Sequence, residues 1–443
     1  MKNLPKGDKK LLNAWAFYDW ANSVYTLTIA SAVFPIFYEA LFAERDHYIH
    51  VFGMNLKNSA LISFITAMAF LVVSFISPLL SGIADYVGDK KTFMKFFCYM
   101  GALSCMGLYW FNLENIYVGL AFYFLGLLGY WGSLVFYNSY LPDIAFVEQQ
   151  DKISAKGYSL GYIGSVVLLL LNLAMIMKPE WFGIEGTETE KASNVAMRYS
   201  FLMVGVWWIL FSQYTYYYLP KGSKDKGEKL TKSVIFNGFK ELKKVWALLK
   251  QNIPLRRYLG GFFVSSMAVQ TVMLVATYFG AQEIQWSSEE ESTIGLIKCI
   301  LIIQLVAVIG AVFTSRASAK FGNIPTLIVI NIIWAIFCAL AFFITLPIHF
   351  YVMATVAGFV MGGIQALSRS TYSKLLPETE DTASFFSFYD VAEKVGIVIG
   401  MCVYGIIDQI TGSPRAAIVI LGIFFVVAIF LLRRIPKNDM VNK

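Results

Sequence analysis

The chain is 443 residues long, 57% hydrophobic and only 15% charged, with a mean hydropathy of +0.60. Soluble domains run nearer a quarter charged, so composition excludes a water-soluble enzyme, a disordered chain and a disulfide scaffold. The net charge of +7 resides in loops between apolar blocks, which points to a membrane face and not to nucleic acid.

The apolar blocks run about 20 residues or more, enough to cross a hydrocarbon core about 30 Å thick. They fall at 15–43, 60–80, 93–113, 116–141, 157–177 and 201–219, then at 258–281, 294–313, 325–346, 350–376, 385–410 and 416–432. The fold class read from them is an all-α polytopic membrane protein with about twelve transmembrane helices. Barrel strands would alternate instead of running continuously apolar. The first block is too long and too aromatic for a cleaved signal, and no small-residue cleavage site follows it. The five cysteines (Cys98, Cys105, Cys299, Cys338 and Cys402) show no metal-ligand or redox spacing and read as small apolar-phase residues.

An inside N-terminus puts Lys90, Lys91, Lys95, Lys152, Lys156, the 221–257 loop, Arg433, Arg434 and Lys437 on the cytoplasmic side, so both termini are expected there. The expected organisation is a six-helix bundle over 1–219, a cytoplasmic linker over 220–254 and a second bundle over 255–443. Within the linker, 221–229 reads as a flexible tether. Ile235, Phe239, Leu242, Trp246 and Leu249 then form an apolar stripe, with Lys240, Lys243, Lys244 and Lys250 off it. That pattern predicts a basic amphipathic helix in the inner headgroup region.

The halves look related. Ser-Gly-Ile-Ala-Asp-Tyr-Val-Gly-Asp-Lys-Lys at 81–91 follows the second block, and Ser-Arg-Ala-Ser-Ala-Lys-Phe-Gly-Asn at 315–323 follows the eighth. Gly322 lies 234 residues after Gly88, and Pro377 lies 235 after Pro142. Two landmarks at nearly one offset predict two six-helix pseudo-repeats with a site between them near mid-membrane.

These residues resemble the major facilitator superfamily, whose signature between helices two and three is Gly-x-Leu-Ala-Asp-Arg-x-Gly-Arg-Lys. Asp85, Gly88 and a lysine match, while Ser81 and Asp89 depart from it. Further matches are Ala-Trp-Ala-Phe-Tyr-Asp-Trp-Ala-Asn-Ser at 14–23, Tyr-Asn-Ser-Tyr-Leu-Pro-Asp at 137–143 and Ser-Ala-Lys-Gly-Tyr-Ser-Leu-Gly-Tyr at 154–162. Gly-Gly-Ile-Gln-Ala-Leu-Ser-Arg-Ser at 362–370 and Phe-Phe-Ser-Phe-Tyr at 385–389 complete the set. Together they are similar to the vacuole-effluxer, autophagy-related branch, whose bacterial members form an "unknown major facilitator" group. The resemblance implies transport, and its eukaryotic members are associated with amino-acid release from the vacuole. It also implies a multi-pass protein of a bacterial inner membrane.

Polar groups inside a bilayer usually face a cavity or each other. Asp19, Asn22, Ser23 and Thr26 share one face of the first helix, and Gln365, Ser368, Arg369 and Tyr372 repeat that spacing on the tenth. The fourth offers Tyr130, Tyr137 and Asn138, and the seventh Ser266, Gln270 and Thr277. In the resembled fold these four helices line the central cavity. The expected substrate-binding set is Asp19, Asn22, Tyr25, Asn138, Gln270, Gln365 and Arg369. Asp19 would meet a solute ammonium and Arg369 its carboxylate, with Asp19 pairing to Arg369 or to Lys394 when the cavity is empty. Asp85, Asp390, Glu393 and Lys394 are the expected coupling and gating residues, with Asp85 near 384–386 at the start of helix eleven. Three intramembrane acids (Asp19, Asp390 and Glu393) face two bases (Arg369 and Lys394), so one carboxylate is a candidate proton carrier.

Gly157, Gly161, Gly164, Gly396 and Gly400 read as close-packing faces. His47 and His50 lack a metal cage, and Glu289, Glu290 and Glu291 read as a loop cap. No nucleotide-binding loop is present. The partners expected are a small-molecule substrate, protons as a coupling ion and the lipid bilayer. No cofactor, metal or nucleic acid is expected, and the chain is expected to work as a monomer. The leading function is a secondary active transporter of a small polar solute, an amino acid or related organic ion. A ligand-binding membrane sensor and an exporter of another metabolite or drug are the alternatives. A membrane enzyme comes last, because the three histidines form no catalytic constellation.

Overall fold

A computed structural model describes residues 4–42, 48–51, 53–187, 190–220 and 232–436. His47, Lys437 and the 221–229 tether lie outside the described residues, as do the side chains of Ile235, Phe239, Glu289 and Glu290. The first crossing is a composite: α1 (Lys9–Asn22), a π-helical segment (Tyr25–Ala32) and α2 (Val33–Ala40). A two-stranded antiparallel hairpin follows, β1 (Tyr48–Val51) and β2 (Met54–Lys57). The remaining helices of the first half are α3 (Asn58–Val87), α4 (Lys90–Gly107), α5 (Ile116–Ile144), α6 (Val147–Met177) and α7 (Ala192–Tyr218). The linker helix α8 (Lys232–Gln251) leads to α9 (Ile253–Glu283), α10 (Glu289–Phe321), α11 (Asn323–Ala341), α12 (Pro347–Leu375), α13 (Thr382–Thr411) and α14 (Pro414–Arg433).

Among the described residues, ten of these helices are long and apolar enough to cross a membrane. The two other long crossings are α4, which carries Lys90, Lys91 and Lys95, and α13, which carries Asp390, Glu393 and Lys394. Each half builds its own core. One gathers Trp15, Phe34, Phe37 and Trp208, the other Tyr258, Trp334, Tyr372 and Phe425. The halves meet along two seams, α3 against α13 and α6 against α10.

The repeat is visible in backbone and side chains alike. Gly88 (φ 76°) and Gly322 (φ 86°) end α3 and α10 in a conformation that a Cβ disfavours. On the face opposite the chain ends, Arg198 donates to Glu190 at 2.8 Å and to the carbonyls of Tyr109 and Phe111 at 2.7 Å. Its guanidinium lies 4.9 Å from the Phe37 ring. Arg415 does the same in the second half, reaching Glu283 and the Phe342 carbonyl, with the Phe279 ring at 5.8 Å.

The structure departs from the sequence expectations in four places. The first crossing is not one regular helix. The first outer loop folds into the β-hairpin, where His50 Nδ1 and Asn55 Oδ1 are hydrogen-bonded at 2.9 Å. Helix α8 packs along α3 and buries Val245 and Leu249 in the second half's core, while Trp246 stays half exposed beside Phe388. Leu242 and Leu249 of the predicted stripe turn inward, but the slim Val245 takes the buried place expected of Trp246, whose amphipathic indole stays outside. Lys244 bonds Asp381 at 2.9 Å, and that hydrogen bond holds its ammonium above the usual range. Glu291 belongs to the first turn of α10, its N–H bonded to the Ser288 hydroxyl at 3.1 Å.

Candidate functional site

The face that carries both chain ends is closed by two polar seams. On the first, Asp85 at the end of α3 accepts the N–H groups of Ala383 (3.2 Å) and Ser384 (2.7 Å) in the first turn of α13. An anion at a helix N-terminus meets free amides and the positive end of the dipole. Lys90 lies 3.9 Å from Asp85 and 2.8 Å from Asp143, and it also donates to Thr382. On the second seam, Asp151 of α6 accepts from Lys374 (2.6 Å), Ser318 (3.0 Å) and Asn323 (3.0 Å) of the other half. Asp85→Asn removes the charge that favours the α13 amides, worth about 0.3–1 kcal/mol. Interspin distances between the halves on this face then broaden toward longer values, and unchanged distances contradict the latch.

Deeper in, α1 and α12 face each other across the halves. Asp19 and Arg369 are both buried. Nη1 and Nη2 of Arg369 reach Asp19 Oδ2 at 3.3 and 3.2 Å, and the Tyr137 hydroxyl donates to the same oxygen at 2.8 Å. The other guanidinium donors go to the Ser154 hydroxyl (3.0 Å), the Ser154 carbonyl (3.0 Å) and Asn138 (3.2 Å). A guanidinium has five N–H groups, and here every one is engaged. The rings of Tyr158, Trp15 and Tyr137 surround it at 4.2, 4.8 and 5.5 Å. Gly157 makes this geometry possible, since a Cβ there would overlap Asp19 Oδ2 and stand 3.0 Å from Arg369 Nη2.

Next to this pair lies a small cavity of about 30 Å³, walled by Tyr158 of α6 and by α9, α12 and α13 of the second half. Gln270 and Gln365 line it, as do Tyr158, Ser266, Tyr389 and Glu393. Gln365 accepts the Tyr162 hydroxyl at 2.5 Å, and Gln270 donates to Glu393 at 2.8 Å. Behind Glu393, Lys394 is tied to Asp390, lies 3.4 Å from Glu393, and sits 3.9 Å over the Trp131 ring.

The expected site residues therefore divide. Gln270, Gln365 and Glu393 line the cavity. Asp19, Asn138 and Arg369 are locked together beside it, and in this conformation Arg369 has no donor left for a solute carboxylate. Asn22 is fully buried and accepts from Ser23 at 3.3 Å, its amide nitrogen without a partner. Tyr25 does not reach the cavity. It stacks on Tyr130 at 4.9 Å within the first half's aromatic core. Tyr372 ties α12 to the Phe385 carbonyl at 2.5 Å, and Thr277 is exposed. Asp390 and Lys394 form an ion pair one turn apart, with Asp390 Oδ2 left without a partner. Sequence reasoning missed Trp15 and Tyr158 around the guanidinium and the Asp151–Lys374 seam. Trp15 stands one turn before Asp19, which was the available signal.

Two six-helix halves that close one face and keep a polar cavity between them define a major facilitator transporter. The fold matches that of the E. coli fucose:proton symporter, with a TM-score of 0.68 and 14% identity over 97% of this chain and 98% of that one. It also matches a FucP structure in the outward conformation, with a TM-score of 0.70 and 12% identity over 97% and 98% of the two chains. Residues 7–440 match the family model described as "Vacuole effluxer Atg22 like", and the chain belongs to that family. Relatives include the "Uncharacterized MFS-type transporter YxiO" of Bacillus subtilis, 30% identical over 97% of this chain and 96% of that protein. Autophagy-related protein 22 of Kluyveromyces lactis is 22% identical over 96% and 93% of the two chains.

Proposed function

We propose that this multi-pass membrane protein is a secondary active transporter that moves an amino acid or related organic ion by alternating access, with protons as the coupling ion. The observation that carries the reading is the Asp19–Arg369 pair, which joins the two halves between a closed face and a polar cavity. The basic loops assign the closed face to the cytoplasm, so the conformation is shut toward the cell interior. A family described as vacuole effluxers, and the resemblance to proteins associated with amino-acid release, support the substrate class. The halves are residues 1–219 and 255–443, joined by a linker over 220–254, and the membrane is a bacterial inner membrane.

In this cycle Asp19 and Arg369 form a lock. Solute entering the cavity presses on Tyr158, whose ring covers the guanidinium at 4.2 Å. Releasing the pair frees α1 from α12, and the two outer seams then open. Purified protein in sealed liposomes is expected to exchange labelled amino acids down their gradients, faster with an inward proton gradient. Binding of solute without flux would instead assign the chain to the sensor class.

A further inference from the structure

Resting on the reading of this cavity as the solute site, we infer that it selects a protonated amine and that Glu393 is the recognising carboxylate. The charges around the cavity do not balance. Arg369 is matched by Asp19 and has spent all five donors. Lys394 is buried, committed to Asp390, and held over Trp131. With Asp390, Glu393 and Lys394 all ionised, two carboxylates share one ammonium, so one negative charge lacks a counterpart. Among the described residues Glu393 is the one charged side chain in the cavity wall. Glu393 is partly buried, its side chain 19% exposed, and shares Lys394 at 3.4 Å with Asp390; a solute cation seated beside it balances the remaining charge.

The rest of the wall suits an ammonium. The aromatic rings of Phe262 and Tyr389 stack at 4.1 Å along one side, and Tyr158 stands on another. Aromatic faces attract cations within about 6 Å. Tyr389 and Ser266 are more than nine-tenths buried and line the cavity, and their hydroxyls have no protein partner among the described residues. They are free to accept N–H groups. Among the described residues no cation in the wall is free to receive a carboxylate, so a zwitterion is held here by its amine.

The test uses wild-type protein in nanodiscs and three matched probes: valine, isobutylamine (valine without its carboxylate) and 3-methylbutanoate (valine without its amine). Isobutylamine and valine are expected to raise the thermal midpoint in a saturable way, and 3-methylbutanoate to leave it unchanged. Glu393→Gln is expected to raise the half-saturating concentration of isobutylamine at least about tenfold, the loss of one charge-assisted hydrogen bond. Glu378→Gln, on an exposed loop of the closed face, should leave it unchanged. If Glu393→Gln does not fold, the wild-type probe series decides alone. Equal stabilisation by 3-methylbutanoate, or an unchanged amine response in Glu393→Gln, overturns the inference. If Glu393→Gln keeps amine binding but loses proton-dependent flux, the residue serves protons and the inference falls. A wild type blind to all three probes that still exchanges another solute overturns the amine site and leaves transport standing. Amine binding without flux leaves the amine site standing and removes the transport reading.

Discussion

Replacing Arg369 with methionine is expected to destabilise the protein by about 3–5 kcal/mol, because it leaves Asp19 buried without its cation. Asp19 keeps one hydrogen bond from Tyr137 at 2.8 Å, which does not offset an ionic partner. The double variant Asp19→Asn/Arg369→Met should regain most of that stability, since it removes the charge together with its partner. Regained stability without regained flux separates the lock from a scaffold role. Arg369→Lys keeps the charge and loses the planar fork that reaches Asp19, Ser154 and Asn138 together. Each charge-assisted bond lost is worth about 1.5–3 kcal/mol, which shifts the population about tenfold or more away from the closed state, so solute-coupled flux in liposomes should fall by a similar factor. Chemical unfolding in detergent and labelled-solute exchange measure the two effects. Equal stability of Arg369→Met and wild type contradicts the assignment.

Gly157→Ala gives the second large effect. Its Cβ would overlap Asp19 Oδ2 and crowd Arg369 Nη2 and the Tyr137 hydroxyl, all rigidly held groups. Overpacking of this kind costs about 1–3 kcal/mol, and here the displaced atoms are those of the lock. Gly260, in α9, has open space where a Cβ would go. Gly260→Ala should therefore stabilise its helix by about 0.5–1 kcal/mol. Unfolding midpoints that move in opposite directions support the packing argument. A neutral Gly157→Ala contradicts it.

The crossings were legible because hydropathy is set by the bilayer and needs no knowledge of packing. Asp85, Asp19 and Arg369 were legible for the same reason: an ionisable group in an apolar run has few places to go. The side of each helix that faces the cavity was harder to read. Helices α5 and α9 are apolar on most of their circumference, so periodicity does not orient them. Tyr25 belongs to the same stretch as Asp19, yet the π-helical segment begins there and turns it into the first half's core. A wide turn of this kind has no composition signature. On α12, Gln365, Ser368, Arg369 and Tyr372 share one helical face yet part company. Gln365 and Ser368 go to the cavity, Arg369 to α1 and Tyr372 to α13, because three neighbours crowd one helix face. The Asp151–Lys374 seam joins residues 223 positions apart, a pairing that no local pattern encodes.

The central claim is that breaking the Asp19–Arg369 lock opens the closed face while the opposite face shuts. The direct measurement is a pair of electron–electron distance distributions in a cysteine-free background. One pair of spin labels joins the halves on the closed face at Lys152 and Glu378, both exposed, and the other joins them on the far face at Trp181 and Phe343, each 74% exposed. In Asp19→Asn/Arg369→Met the first distance is predicted to lengthen and the second to shorten. Both distances unchanged, or both longer, would mean that the pair only holds the bundle together, and would contradict its role as the lock of an alternating-access cycle.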